Sequence, residues 1–467
     1  MHISILKTSI FSTLLAAFIS CFLAIGTFGQ TASSGVSGSV VDSQGLVVSG
    51  ATIRLLNDET GFSRTTVTSD GGAFSFSSVP PGTYRLEVEA NGFKKLIQSN
   101  VIALVDKTAD VNAMLEAGNI TEVVNVESAG LESIVNTQDA SLGNNFVSKQ
   151  ILQLPLQGRN VASLLSLQAA VTPDGSVAGG RRDQANITLD GIDVNDQQTG
   201  LNLDQTGAFS PVLRVNPDSV DEFRVTTSNP DASKGRSSGA QISLITKSGS
   251  NDFHGALYEY HRNTVTSAND WFNNRSGIER PALIRNLFGG RLGGPVIKDR
   301  IFFFYNYEGM REAKGSSIAR TVPTASLGAG NLQFVDNTGQ AWTIPAAAIN
   351  TFTLNSVPVV DVNPLVPALF AAAASRYPVN DATLGDGRNS GGFRFNAPTP
   401  VEQNSHTARI DWTVTGDQKH QISLRGNYQQ DITGQAPYFP DTPPTNTWSH
   451  PIGFSAAHTW LIKPNMT

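Results

Sequence analysis

His406 to Gln430 reads HTARIDWTVTGDQKHQISLRGNYQQ, two alternating runs about a turn at Gly416-Asp417. In the first run His406, Ala408, Ile410, Trp412 and Val414 share one face, and Thr407, Arg409, Asp411 and Thr413 the other. In the second, Ile422, Leu424, Gly426 and Tyr428 alternate with Gln421, Ser423, Arg425, Asn427 and Gln429. Successive strand residues point to opposite faces. Each run therefore has one largely apolar and one polar face over ~9–11 residues, the pattern of an outer-membrane barrel hairpin. A half-buried antiparallel sheet in a soluble protein alternates in the same way. Three further features favour the membrane. Aromatics stand near strand ends, at Tyr258, Tyr260, Tyr305, Tyr307, Tyr428 and Trp460, where an interfacial girdle needs them. Short connections alternate with very long ones. Arg409, Asp411 and Arg425 on the polar face suit a water-filled lumen better than a dry interior.

Upstream, Arg285 to Gly309 reads RNLFGGRLGGPVIKDRIFFFYNYEG and divides into two strands about a Pro295–Arg300 turn. Ile301, Phe303, Tyr305 and Tyr307 form an apolar face for lipid, while Phe302 and Phe304 give way to Asn306 and Glu308 toward the lumen. The glycines of the first strand leave room for barrel curvature. Barrel strands are expected at 253–262, 285–294, 301–309, 404–414, 419–429 and 452–462, with one long extracellular loop over 310–401. About six strands are too few to close a wall, so the chain is expected to be a fragment. Its two open edges are ones that lipid cannot satisfy.

Residues 1–30 have the pattern of a secretory signal: Lys7, then an apolar run from Ile10 to Ile25, then small residues at Thr27 and Gly29. The one cysteine, Cys21, lies inside it, so disulfides and thiolate metal sites are excluded from the mature chain. Charged residues are 15% of the chain and the formal net charge is −6, with no basic patch for nucleic acid.

Residues 31–117 carry strand-length runs (VSGSVVD, ATIRLLN, RTTVTSD, AFSFSSV, TYRLEVEA) separated by Gly, Pro and Asp turns, the spacing of a small β-sandwich. Residues 118–128 follow as a linker. Within it Glu122, Val123, Val124, Asn125 and Val126 leave two readings open: a last strand or extended linker, or a segment that adds itself to a partner's sheet edge. Residues 129–250 are mixed, with apolar helical faces at Ile151, Leu154, Leu156 and Leu164, Leu165, Leu167. Strands are expected at 186–189 and 241–246, and a helical turn leads into a strand after Pro217.

No arrangement of residues builds a catalytic site, so the chain is expected not to be an enzyme and to need no cofactor or metal. Gly235-Arg236-Ser237-Ser238-Gly239 matches GxSxG, but a strand rather than a helix follows it. The acidic loop Asp190, Asp193, Asn195, Asp196, Asp204 lacks the glycine and terminal Glu of a calcium loop and suits turn chemistry better.

GSVVDSQGLVVSGATIRLLNDETG and TSDGGAFSFSSVPPGTYRLEVEANGF resemble the carboxypeptidase regulatory-like domain, a transthyretin-like sandwich without peptidase chemistry. EVVNVES, LPLQGRNVASLLSLQAAV, ITLDGIDVND and DSVDEFRVTTSNPDASKGRSSGAQISLITKSGSNDFHGALYEYHRN are similar to TonB-dependent outer-membrane receptors of the Oar-like type. The resemblance implies a mainly β chain. A periplasmic sandwich, a TonB-box linker and an α+β plug domain come first, then a transmembrane antiparallel β-barrel over 251–467. Glu122 to Val126 stand where the TonB box belongs, departing from the commoner EVVVT by Asn125. The implied partners are TonB with its inner-membrane motor proteins, outer-membrane lipid and an unknown extracellular ligand. Arg159, Asn160, Arg181, Arg182, Asp190, Gly191, Asp193 and Asp196 fall on or beside plug motifs and are expected to touch ligand or barrel wall. A non-transporting adhesion or assembly protein on the same scaffold is the alternative, since fold does not fix function.

Overall fold

A computed structural model describes residues 33–119, 122–127, 140–154, 159, 161–172, 176–181, 184–195, 212–230, 232, 234–235, 237–349, 353–354, 357–358, 363, 365–463 and 466–467. The signal segment expected over 1–30 lies outside them.

The N-terminal unit is built from β1 (Ser34–Asp42), β2 (Thr52–Asn57), β3 (Phe62–Val67), β4 (Ala73–Val79), β5 (Gly82–Glu89), β6 (Lys95–Ala103), β7 (Thr108–Asp110) and β8 (Ala113–Leu115), joined at its edge by β9 (Val123–Glu127). One sheet runs β4-β1-β7 with β8 also on β1, and the other runs β3-β2-β5-β6-β9. Alternate residues of both sheets, among them Val36, Ile53, Leu55, Phe76, Leu86 and Val88, meet in one apolar core. Burying each such side chain contributes roughly 1.5–3 kcal/mol. Tyr84 enters this core and donates its hydroxyl to Pro80 O at 2.6 Å, which removes the cost of an unpaired buried O–H.

The plug follows, with β10 (Leu142–Val147), helix α1 (Ser148–Gln153), β11 (Asn186–Leu189), β12 (Ile192–Asp193), β13 (Val220–Ser228) and β14 (Gln241–Thr246). Its five-stranded sheet has the order β10-β13-β14-β11-β12. Ile151 of α1 and Leu164 and Leu165 of a 3₁₀ turn cover one face, packing on Ile187, Phe223, Ile242 and Leu244. Leu167, the last residue of that turn, is exposed instead.

The barrel wall is an eight-stranded sheet: β15 (His254–Asn263), β16 (Leu283–Ile297), β17 (Ile301–Pro323), then β22 (Ser390–Pro398), β23 (Val401–Thr413), β24 (His420–Gln435), β25 (Thr445–Ser449) and β26 (Ile452–Trp460). The numbers between belong to short hairpins of the insertion between β17 and β22, β18 (Asn331–Val335) with β19 (Ala341–Pro345) and β20 (Thr353–Leu354) with β21 (Val357–Pro358). Helix α2 (Leu365–Arg376) lies in the same insertion. The expected loop over 310–401 needs correction at both ends. β17 continues to Pro323, pairing its lower half with β23 and its upper half with β22. From Met310 onward burial no longer alternates along β17, and MREAKGSSIARTVP carries no period of two to mark it as a strand. Among the described residues β15 and β26 do not pair with each other.

Burial along β17 follows the alternation. Phe302, Phe304, Asn306 and Glu308 are buried, while Ile301, Phe303 and Tyr307 are half-buried and Tyr305 is exposed on the outer face. The turn into β17 is tighter than Pro295–Arg300, since β16 runs to Ile297 past a bulge and Asp299 turns in the left-handed region at φ 60°.

Candidate functional site

The inward faces of the wall strands meet the plug in three clusters of opposite charge. The first is built on Asp190. It ends β11 with φ 50° and is followed by Gly191 at φ 82°, two left-handed residues that make the tight turn into β12. The Asp190 carboxylate accepts the Thr246 N–H at 2.9 Å and the Thr246 hydroxyl at 2.8 Å, which orients it toward the wall. There Arg425 of β24 brings Nε to 2.7 Å and Arg409 of β23 brings Nη1 to 3.4 Å. The Arg425 N–H is not aligned for a hydrogen bond, so that contact is an attraction of charges. Arg425 Nη2 does donate to Leu189 O at 3.2 Å, and Arg409 Nη1 to Thr246 O at 2.6 Å. Asp411 neutralises Arg409 at 2.9 Å and itself accepts the Ser248 hydroxyl of the plug–barrel junction at 2.6 Å.

The second cluster centres on Arg159, held in the left-handed region at φ 49°, where residues other than glycine seldom sit. Its guanidinium pairs with Asp218, lies 3.2 Å from Glu308 of β17, and stacks on Tyr260 at 4.6 Å and Tyr258 at 5.1 Å of β15. Tyr258 donates to Glu308 at 3.0 Å, and Arg291 of β16 reaches Asp218 at 2.8 Å. Gly289 makes this possible. A Cβ there would lie 2.6 Å from the Tyr258 hydroxyl and 2.4 Å from Tyr307 O, so any side chain would push Tyr258 off Glu308. The third cluster is a fork: Arg214 holds both oxygens of Asp431 on β24 at 3.1 and 3.2 Å, and its N–H donates to Gln429 at 3.0 Å.

Charges this buried keep their ionisation only when paired, and removing one partner of such a pair typically costs about 3–5 kcal/mol. The clusters therefore specify one seating of the plug. A disturbance at one cluster is felt by the wall strand it shares with another, as β24 shares Arg425 and Asp431.

Of the residues singled out from sequence, Arg159 and Asp190 lie at this seam. Gly191 shapes the turn beside Asp190. Asp193 accepts the Asn195 N–H at 2.8 Å, and the Arg181 N–H donates to Gln184 at 2.9 Å, both inside the plug. Asn160, Arg182 and Asp196 lie outside the described residues. Glu122 to Val126 are far from the seam and follow the sandwich edge as β9, with Val123 and Val126 exposed. Among the described residues no group of three or more His, Cys, Asp or Glu has metal-binding geometry. Ser237 donates to Gln184 O at 2.6 Å and accepts the Gly239 N–H at 3.0 Å, the bonding of a turn residue.

Sequence reasoning put Glu308 on the inward face but missed Arg214, Asp218, Arg291 and Asp431. Their signal is a charged residue on the inward face of a strand or at the mouth of a plug strand. Their partners lie 59 to 217 residues away, beyond any local pattern.

A lipid-facing antiparallel sheet whose inner face is charge-paired to a separate α+β plug defines a plugged outer-membrane β-barrel protein. Residues 245–467 match the family described as outer membrane beta barrel domain, and residues 35–116 match the carboxypeptidase regulatory-like domain. The chain is accordingly an outer-membrane protein with its sandwich on the periplasmic side. It is 27% identical over 305 residues to the TonB-dependent transporter Oar of Myxococcus xanthus. That match takes in 61% of this chain and 27% of the relative, so the chain spans little more than a quarter of the protein it resembles. Among solved structures, the outer membrane transporter YddB of Escherichia coli is 15% identical, covering 68% of this chain and 37% of that one with a TM-score of 0.43. The siderophore receptor PirA of Acinetobacter baumannii is 13% identical over 68% of this chain and 45% of that one, with a TM-score of 0.30. The curated relative is named a transporter.

Proposed function

We propose that the chain is part of a TonB-dependent outer-membrane receptor or transporter. An extracellular ligand binds the long loops beyond β17 and the outer face of the plug. Glu122 to Val126 pair with a strand of TonB in the periplasm, and the inner-membrane motor behind TonB remodels the plug. The observation that carries this reading is the seam itself. Asp190, Arg159 and Arg214 fasten the plug to wall strands through charges rather than through a continuous apolar core. An apolar interface would resist water, whereas a seam of paired charges can be rehydrated once the plug is drawn down, because the freed ions regain their solvation.

Deleting Glu122–Val126 from the full-length protein should abolish its capture by the purified periplasmic domain of TonB, while the folded protein still reaches the outer membrane. Undiminished capture would reject energised transport and favour the adhesion or assembly reading.

A further inference from the structure

β9 is not a free tail. It lies parallel to β6 over five residues, from Lys95↔Val123 to Ser99↔Glu127. The Lys95 N–H donates to Glu122 O at 2.9 Å, Lys94 Nζ lies 3.3 Å from the Glu122 carboxylate, and Val124 packs on the sandwich core. The opposite edge of β9 pairs with no described strand. A partner strand can therefore add there without removing β9 from the sandwich, since each edge of a strand pairs independently.

β6 then leads directly to the plug. Beyond Ala103 the chain enters a loop in which Val105 is wholly buried and Asp106 adopts φ 52°. The Val105 N–H donates to Glu222 of β13 at 2.8 Å, and Asn145 of β10 bonds Glu222 at 2.5 Å and Val105 O at 3.3 Å. Asp106 accepts the Ser243 hydroxyl of β14 at 2.5 Å and pairs with Lys234 at 2.8 Å. Two adjacent residues thus grip three neighbouring plug strands.

We propose that the sandwich is a tension link: the box strand, β6 and the Val105–Asp106 clamp form a second connection from the partner-binding strand to the plug sheet, beside the covalent chain. This inference rests on Glu122–Val126 being the TonB-binding strand. A pull along β9 loads its bonds to β6 in shear, all together rather than one at a time. The load then passes down β6 into the loop that holds β10, β13 and β14. The sandwich also touches the wall, through Gln418 to Gly61 O at 3.0 Å and the Asn251 N–H to Glu59 O at 2.8 Å. Those contacts lie on turns between strands and carry no bond to the plug sheet.

The test uses full-length protein in energised cells that make TonB. Ile187→Cys, buried in the plug core, reports plug opening by its rate of maleimide labelling. Asp106→Ala with Glu222→Ala removes the clamp's side-chain bonds to β14 and β13, outside the plug's apolar core and away from the box. The expected result is a several-fold slower labelling rate, with capture by purified TonB periplasmic domain unchanged. Unchanged labelling with unchanged capture overturns the link, because the covalent chain then suffices. Capture lost in the clamp variant also overturns it, because the clamp would then shape the box rather than transmit load. Failure of the TonB reading shows separately, as capture that survives deletion of Glu122–Val126. A second measurement needs no variant: in the intact protein the amides of 105–107 and 123–127 should exchange slowly with deuterium, and exchange at unstructured rates rejects the proposal.

Discussion

β5 of the sandwich and β14 of the plug look alike as sequence, GTYRLEVE and QISLIT, each alternating polar with apolar. Their burial differs completely. In β5 Tyr84, Leu86 and Val88 are buried while Arg85, Glu87 and Glu89 stay partly in water. In β14 all six residues are buried. Ile242 and Leu244 face the plug's apolar core, and Gln241 and Ser243 on the other side are covered too. Gln241 donates to Gly235 O at 2.9 Å and Ser243 to Asp106. A polar strand face can thus be a solvated exterior or a polar interior waiting for a partner. Alternation separates the two faces of a strand without saying what covers them. The sandwich completes its own core, whereas the plug completes its polar face only against the sandwich loop and the barrel wall.

The largest effect should come from breaking that polar completion. Arg425→Ala takes the nearest cation from the part-buried Asp190 and leaves only Arg409 at 3.4 Å, so it should destabilise plug seating by an amount approaching the roughly 3–5 kcal/mol of a broken buried pair. Hydrogen exchange of the β11 and β14 amides should accelerate while sandwich amides stay protected. Leu86→Ala should do the reverse, lowering sandwich stability by about 2–5 kcal/mol and leaving the plug amides slow. If either substitution loosened both units equally, the contrast between a self-sufficient and a dependent sheet would fail.

The next effect is a pH dependence at the sandwich–plug contact. Burial pushes the Glu222 carboxyl up to about 7, with the Asp221 charge adding to the rise and the bonds from Val105 and Asn145 and the Arg224 charge opposing it. Asp106 and Lys234 are the other charges at this contact, and they are paired with each other. Docked Glu222 therefore binds its proton more tightly than a solvated one whose value is near 4.5. The sign follows: docking is strongest below 4.5 and weakens as pH rises through about 7. The total change is on the order of 3 kcal/mol, taking ~1.4 kcal/mol per pH unit. Exchange of the Val105 and Asp106 amides should be slower at pH 5.5 than at pH 8 after correction for the intrinsic rate. Glu222→Gln should flatten that difference, and a difference that survives the substitution would point to another group.

Much of this architecture was legible because lipid imposes a period of two. Ile301 to Glu308 and His406 to Gln429 alternate where the bilayer makes them, and strands were placed there correctly. β17 beyond Gly309 and β22 escaped notice where that constraint ends. The segment EVVNVES left two readings open, and the structure takes the plainer one, a last strand on the sandwich, without removing the other. At the seam, Asp190 was visible through its Asp-Gly turn and Arg159 through its motif. Asp218 and Asp431 were not, because a buried ion pair leaves no trace in either partner's neighbours along the chain.

The smallest effect expected concerns Ser237, whose surroundings imitate a catalytic motif. A nucleophilic serine needs a base within hydrogen-bond reach and a hydroxyl open to substrate. Ser237 instead spends its proton on the carbonyl of Gln184, with Ala240 O also near at 3.1 Å, and its oxygen accepts the Gly239 N–H. Those bonds close the loop that delivers the chain into β14, so the hydroxyl works as a turn staple. Ser237→Ala should cost about 1 kcal/mol of plug stability, the usual net value of such a bond, because Gly239 keeps its own bond to Gln184 O at 3.2 Å. A serine-directed fluorophosphonate should leave the wild-type protein unlabelled. Stoichiometric labelling at Ser237 would mean that this loop opens to a reactive state, and the polar face of β14 would then be less firmly covered than its burial indicates.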